Sequence, residues 1–215
     1  MRKLMPVIFS VVMLSVMVSA ELYAGMISKS GRVRPDTIIG REIPFPVFTA
    51  FHKGEIIDIN LREYRGKWII LFFYPADFTI VCPTELKELA DYYNDFTGAG
   101  AEVFAISTDS AYVHRAWKND SPQLKNVNYP MLSDRSGSFS RALGVYESSK
   151  GTAIRASFIV DPDGFITSAE YSHDSVGRNA GELLRKLDAA IAVRKGGGGV
   201  CPAGWAEGKE LIQEK

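Results

Sequence analysis

The stretch Lys67-Trp68-Ile69-Ile70-Leu71-Phe72-Phe73-Tyr74-Pro75-Ala76-Asp77-Phe78-Thr79-Ile80-Val81-Cys82-Pro83-Thr84-Glu85 decides the fold. Its first eight residues are a continuous apolar run of strand length, as expected for a strand buried on both faces. Pro83 fits the first helical position, where a missing N–H costs nothing. From there Leu86, Leu89, Ala90, Tyr93 and Phe96 recur at helical spacing, until Gly98 and Gly100 end the pattern. A single helix over 84–96 is predicted. Cys82 then falls at a strand-to-helix junction, on the positive end of that helix, where a thiolate is favoured. Thr79 lies three residues earlier, so in a turn its hydroxyl can meet the sulfur or a bound substrate oxygen. Pro75 follows the strand and would shield the pocket from water.

Outward from this stretch, strands and helices alternate. Glu102 to Ser107 reads as a second strand, and Asp109 or Ser110 caps a helix through Trp117. A short helix is expected around Phe139 to Leu143. Ala156 to Val160 and Phe165 to Glu170 flank Asp161-Pro162-Asp163-Gly164, the pattern of a hairpin with a Pro-Asp-Gly turn. A last amphipathic helix covers about 179–193, with Leu183, Leu184, Leu187, Ala190 and Ile191 on one face. The order implies an α/β sandwich with a mixed sheet. Gly196-Gly197-Gly198-Gly199 breaks the last helix and makes a hinge. Beyond it, Val200-Cys201-Pro202-Ala203-Gly204-Trp205 opens a flexible C-terminal tail with too few apolar residues for a core of its own. That tail must dock or move.

Composition bounds the function. The 215 residues carry 25 basic and 25 acidic side chains, so neither nucleic acid nor an anionic membrane is an expected partner. The three histidines, His52, His114 and His173, lack metal-ligand spacing, and no metal or cofactor is expected. Arg2 and Lys3 precede a largely apolar stretch from Leu4 to Val18, which Ser19 and Ala20 follow. That pattern predicts a signal peptide over 1–20 and export, to a periplasm in a bacterial cell. An uncleaved anchor or a cytoplasmic start are the alternatives. Residues 21–38 read as an N-terminal arm, 39–195 as the folded domain and 196–215 as the tail. No membrane span is expected in the mature form. In an exporting context the two cysteines would also suit a plain structural disulfide.

Pro75-x-x-x-Thr79-x-x-Cys82 resembles the active-site signature of the peroxiredoxins, and Phe73-Tyr74-Pro75-x-Asp77-Phe78-Thr79-x-Val81-Cys82-Pro83-Thr84-Glu85 resembles the typical 2-Cys branch. The likeness runs from about Ile39 to Glu207. It takes in His114-Arg115-Ala116-Trp117, Arg155, Gly177-Arg178 and Val200-Cys201-Pro202-Ala203. It implies a thioredoxin-like fold and reduction of peroxides without a cofactor. By position, Cys82 is the peroxidatic nucleophile, Thr79 a hydrogen-bonding partner of the peroxide, and Arg155 a stabiliser of the thiolate. Pro75 limits water access, Cys201 is the resolving cysteine, and Glu85 and Arg178 form a supporting ion pair. The branch implies a homodimer that assembles into a ring, an intersubunit disulfide, and a thioredoxin-like or flavoprotein dithiol reductant. Residues 126–139 lack the Gly-Gly-Leu-Gly insert of oxidation-sensitive relatives, which implies resistance to sulfinic acid formation. A holdase chaperone built on the same oligomer is a different class of function. A disulfide-exchange protein is another, against which stands the absence of Cys-x-x-Cys.

Overall fold

Six buried residues in a row, Trp68–Phe73, form strand β3, an interior strand of the sheet. A strand with both faces covered needs cover from both sides, and this organises the rest. The computed structural model describes residues 37–213. The expected signal peptide over 1–20 lies outside them, as does most of the expected arm. The chain divides between Arg41 and Glu42 into two compact units. Of the first, residues 37–41 are described, as a turn in which Arg41 N donates to Ile38 O at 3.2 Å.

The second unit holds a seven-stranded mixed sheet. In chain order its strands are β1 (Val47–His52), β2 (Glu55–Asn60), β3, β4 (Ala101–Ser107), β5 (Met131–Ser133), β8 (Arg155–Val160) and β9 (Ile166–Ser172), and they lie in the order β2-β1-β5-β4-β3-β8-β9. Strands β3, β4 and β5 run parallel, while β8 runs antiparallel to β3 and β9 antiparallel to β8. Two short strands, β6 (Tyr146–Glu147) and β7 (Thr152–Ala153), pair separately. The helices are α1 (Cys82–Asp91), α2 (Tyr93–Gly98), α3 (Ala111–Asp120), α4 (Ser138–Ala142) and α5 (Ala180–Lys195). Helices flank the mixed sheet, the α/β arrangement expected of a thioredoxin-like chain.

Two local features differ from the sequence pattern. The single helix expected over 84–96 is two helices, because Tyr92 leaves helical geometry at φ −95°, ψ 4° and the turn restarts with Phe96 N donating to Tyr92 O at 3.1 Å. The apolar face continues across the break, so periodicity alone does not show it. The β1–β2 hairpin was not anticipated. Its turn has Lys53 and Gly54 at φ 49° and 92°, the left-handed pair that a tight two-residue hairpin requires. Elsewhere, Ser110 and Asn179 cap α3 and α5 by accepting from Val113 N and Glu182 N. In the 161–164 turn, Asp161 Oδ1 accepts from Asp163 N at 3.0 Å and Phe165 N at 2.9 Å.

The core lies between β3, β4 and the helices α1, α2, α3 and α5, with Phe72, Leu86, Leu89, Phe96, Trp117, Leu183 and Leu187 among its members. Phe73, Phe139 and Phe158 pack on the opposite face of the sheet. Burying each such side chain contributes roughly 1.5–3 kcal/mol. This packing buries the C-terminal end of β3, and the loop from there leads to Cys82.

Candidate active site

Cys82 is the first residue of α1, followed by Pro83, and its side chain is fully buried. Arg155, the first residue of β8, reaches it across the sheet, with Nη1 3.3 Å from Sγ. The register explains the meeting. Phe73 pairs with Ala156, so the end of β3 and the start of β8 lie side by side. Helix α1 begins a few residues beyond that end of β3.

Arg155 does not stand alone. Its Nη1 also donates to Glu85 Oε2 at 2.5 Å, and its Nε donates to Asp174 O at 2.9 Å. Glu85 takes Arg178 on its other side, accepting from Nε at 2.9 Å, Nη2 at 3.1 Å and the backbone N at 2.8 Å. Arg178 Nη1 donates to Ser157 Oγ at 3.0 Å, and its guanidinium lies 3.5 Å from the centre of the Phe72 ring. All three charged side chains are at most 4 % exposed. One carboxylate thus serves two guanidinium groups, which leaves one positive charge facing the Cys82 sulfur. Burial opposes the Arg155 charge, but Cys82 and Glu85 outweigh it and hold its pKa above the ordinary value. Burial moves Arg178 the other way, in spite of Glu85.

The loop 75–81 joins β3 to α1 just before Cys82. Pro75 is half-buried, while Phe78, Thr79 and Ile80 are exposed. Phe78 takes φ 55°, a left-handed conformation that costs a non-glycine residue roughly 1–2 kcal/mol. Its ring packs on Trp117 at 6.1 Å, and Trp117 packs on Tyr74 at 6.0 Å. The turn brings Thr79 Oγ1 back to donate to Ala76 O at 3.0 Å. The hydroxyl hydrogen is therefore spent on the backbone and not on the sulfur, and the oxygen is left as an acceptor.

Sequence reasoning missed four contributors. Asp174 and Ser157 hold the two arginines, and Ser157 had a signal: it is two residues from Arg155 on one strand, hence on the same face. Asp77 and His114 were not read as partners because they are 37 residues apart. They join the loop to α3, with His114 Nδ1 2.7 Å from Asp77 Oδ2, and Tyr74 Oη donates to Asp77 Oδ1 at 2.8 Å. Burial raises the Asp77 pKa, while His114 opposes the shift. Among the described residues, no group of three His, Cys, Asp or Glu side chains is arranged to hold a metal ion.

Cys201 is not brought to Cys82. Both are free thiols. Cys201 lies against α5, with Sγ 3.5 Å from Ala189 O, and lines a cavity of about 520 Å³ with Trp68 and Asp161. Trp68 begins β3 and Asp161 follows β8, whereas Cys82 touches the other end of both strands. Six residues at about 3.3 Å each separate Arg155 from Asp161, so the two sulfurs sit about 20 Å apart along the sheet.

Comparison with known proteins gives the family of the chain. Residues 40–169 match the AhpC/TSA family. The chain belongs to that family. It is a 2-Cys-type peroxiredoxin, a thiol-dependent peroxidase and hence an oxidoreductase. Alkyl hydroperoxide reductase C of Escherichia coli strain K12 is 43% identical over 163 residues, covering 76% of this chain and 87% of the relative. The crystal structure of Enterococcus faecalis AhpC superposes with a TM-score of 0.75 at 42% identity, over 77% of this chain and 99% of that one. The reduced Plasmodium vivax 2-Cys peroxiredoxin gives 0.76 at 34% identity, over 81% and 92%.

These relatives correct one expectation. The alkyl hydroperoxide reductase C relatives are cytoplasmic enzymes, which overturns the periplasmic location expected from the pattern of residues 1–20. The pattern behind that reading, two basic residues before a short apolar run, is compositional and carries less than a match over most of the chain. No helix among the described residues is long and apolar enough to cross a membrane.

Proposed function

We propose that this peroxidase reduces hydrogen peroxide and organic hydroperoxides through Cys82, with Cys201 as the resolving thiol. The observation that carries the proposal is the Arg155 guanidinium 3.3 Å from the buried Cys82 Sγ, with a net positive charge left over by Glu85. The Cys82 thiolate attacks one peroxide oxygen. The O–O bond breaks, an S–O bond forms, and water or an alcohol leaves once protonated. Sulfur is oxidised to the sulfenic acid and the peroxide is reduced. Thr79 Oγ1, its own hydrogen engaged with Ala76 O, accepts a hydrogen bond from the peroxide hydroxyl. Arg155 stabilises the charge that develops on oxygen. Pro75 limits water at the sulfur.

The Cys201 thiol then condenses with the sulfenic acid, forming the S–S bond and releasing water. A disulfide needs sulfurs about 2 Å apart. The roughly 20 Å between Cys82 and Cys201 within one chain supports pairing with Cys201 of a second copy, in a homodimer that assembles into a ring. A thioredoxin-like or flavoprotein dithiol supplies two electrons and two protons to restore both thiols. In this scheme residues 39–195 form the catalytic domain and 196–215 the tail that delivers the resolving thiol.

The test is non-reducing gel electrophoresis after one equivalent of peroxide. A covalent dimer is expected from the wild-type protein, and none from Cys82→Ser or Cys201→Ser. An internal disulfide in a monomer-sized band would refute pairing between copies. Peroxide consumption that survives Cys82→Ser would refute the nucleophile.

A further inference from the structure

The tail that carries Cys201 is tied back onto its own chain, and the glycine run is part of the tie. A Cβ at Gly196 would lie 2.3 Å from Leu211 Cδ1 and 2.9 Å from Ala192 O, and one at Gly199 would lie 2.9 Å from Leu211 Cβ. Leu211 therefore packs against the glycines, and β10 (Gly199–Val200) pairs with β11 (Ile212–Gln213) to close a loop around Cys201. Trp205 is the loop's anchor. Its indole is buried, Nε1 donates to Lys209 O at 2.9 Å, and its carbonyl accepts from Arg185 Nη1 at 2.9 Å.

Beside that indole lies a cavity of about 370 Å³ between α2, α5 and the tail. Asp188 of α5 and Glu207 of the tail both line it, and Asp95 of α2 adds a third negative charge to the surroundings of Asp188. Lys195 of α5 is the cation on the cavity wall. Arg185 is engaged with Glu182 at 2.7 Å and with Trp205 O, and the Lys209 ammonium is turned to Gly204 O at 3.4 Å. The docked tail thus brings like charges together beside its own anchor.

We propose that Asp188, which lines this cavity with the Glu207 charge, makes docking of the Cys201 tail proton-sensitive, tight in acid and looser at neutral pH, so that the resolving thiol is released more readily as pH rises. The inference rests on the reading of Cys201 as the resolving cysteine and adds a control on its departure. Burial first, then Glu207 and Asp95, holds the Asp188 carboxyl above its ordinary range in the docked state. The docked state therefore binds more protons than the released one. Its extra stability is fully present below the ordinary carboxylate value, about 4, and is lost as pH rises through the raised value.

Hydrogen exchange of residues 199–213 tests this in the reduced Cys82→Ser protein, with rates corrected for intrinsic pH dependence. Protection is expected to fall about two- to fivefold between pH 4.5 and 7.5, the strength of half-exposed like-charge contacts. Asp188→Asn, and separately Glu207→Gln, should restore the acid value at pH 7.5. Equal protection at the two pH values, no effect of either substitution, or an equal change in β3 would overturn the proposal. In single turnover with Cys82 intact, Asp188→Asn should slow disulfide formation at pH 7.5 by the same factor; an unchanged rate would overturn the control of release. Absence of any Cys82–Cys201 disulfide in the wild type would instead overturn the resolving role of Cys201, while the exchange experiment still decides the proton-sensitive docking.

Discussion

Replacing Arg155 by Lys keeps a positive charge and removes the fork that places it. In the native site one guanidinium holds three partners at once: Cys82 Sγ at 3.3 Å, Glu85 Oε2 at 2.5 Å and Asp174 O at 2.9 Å. An ammonium is a point charge on a flexible stem and does not reproduce that planar geometry. Glu85 is the strongest local anion, so the lysine should settle on it and leave the sulfur. A hydrogen bond to a charged group contributes about 1.5–3 kcal/mol. If that bond acts on the reacting sulfur, its loss slows peroxide attack by about tenfold to 150-fold. The bond to Asp174 O is lost as well, which lowers stability by about 1–3 kcal/mol and the melting temperature by a few degrees. Stopped-flow measurement of the second-order rate with hydrogen peroxide, beside calorimetry on the same protein, separates the two effects. A rate within twofold of wild type, with the melting temperature lowered, would show that Arg155 is structural and refute its role at the sulfur.

Other outcomes follow from the same geometry. Glu85→Gln leaves two buried guanidinium groups facing each other without their carboxylate, so stability should fall by about 3–5 kcal/mol in urea unfolding. Gly196→Ala puts a Cβ 2.9 Å from Ala192 O and against Leu211, so limited proteolysis should cut residues 199–213 faster while the body stays intact. Asp77 titrates above the ordinary carboxyl value because it is buried, in spite of His114. Its contribution to stability is therefore fully present below about pH 4 and is lost as pH rises through the raised value, so Asp77→Asn should flatten that part of the stability profile measured by urea unfolding.

Much of this site was legible because its parts are local. The apolar run of β3, the proline after Cys82 and the helical spacing beyond it fix the junction within one stretch of chain. Residues that join across the sheet were harder. Arg155 and Arg178 are 70 and 93 residues from Glu85, and no periodicity links them; only the family motif placed them near Cys82. Asp174 acts through its backbone carbonyl, which no side-chain pattern encodes. The Asp77–His114 pair was hidden for a related reason, since each residue alone reads as a loop acid and a helix histidine. The glycine run failed in a different way. Four glycines read as a free hinge, but Gly196 and Gly199 also leave the room that Leu211 occupies, where a Cβ on either would clash with it.

The start of α1 gains a meaning from this distribution of contacts. Of the three helices of ten or more residues among the described residues, α3 and α5 have a side-chain cap, from Ser110 and Asn179, while α1 has none at Val81. A missing cap weakens a helix start by about 1 kcal/mol. Three residues into that helix, Glu85 is held by two arginines and a backbone N–H. The first turn therefore lacks a side-chain cap beside Cys82 and is pinned at Glu85. A fully buried sulfur cannot form a disulfide without leaving its pocket. A first turn without a side-chain cap lowers the cost of that departure, while Glu85 is held by Arg155 and Arg178.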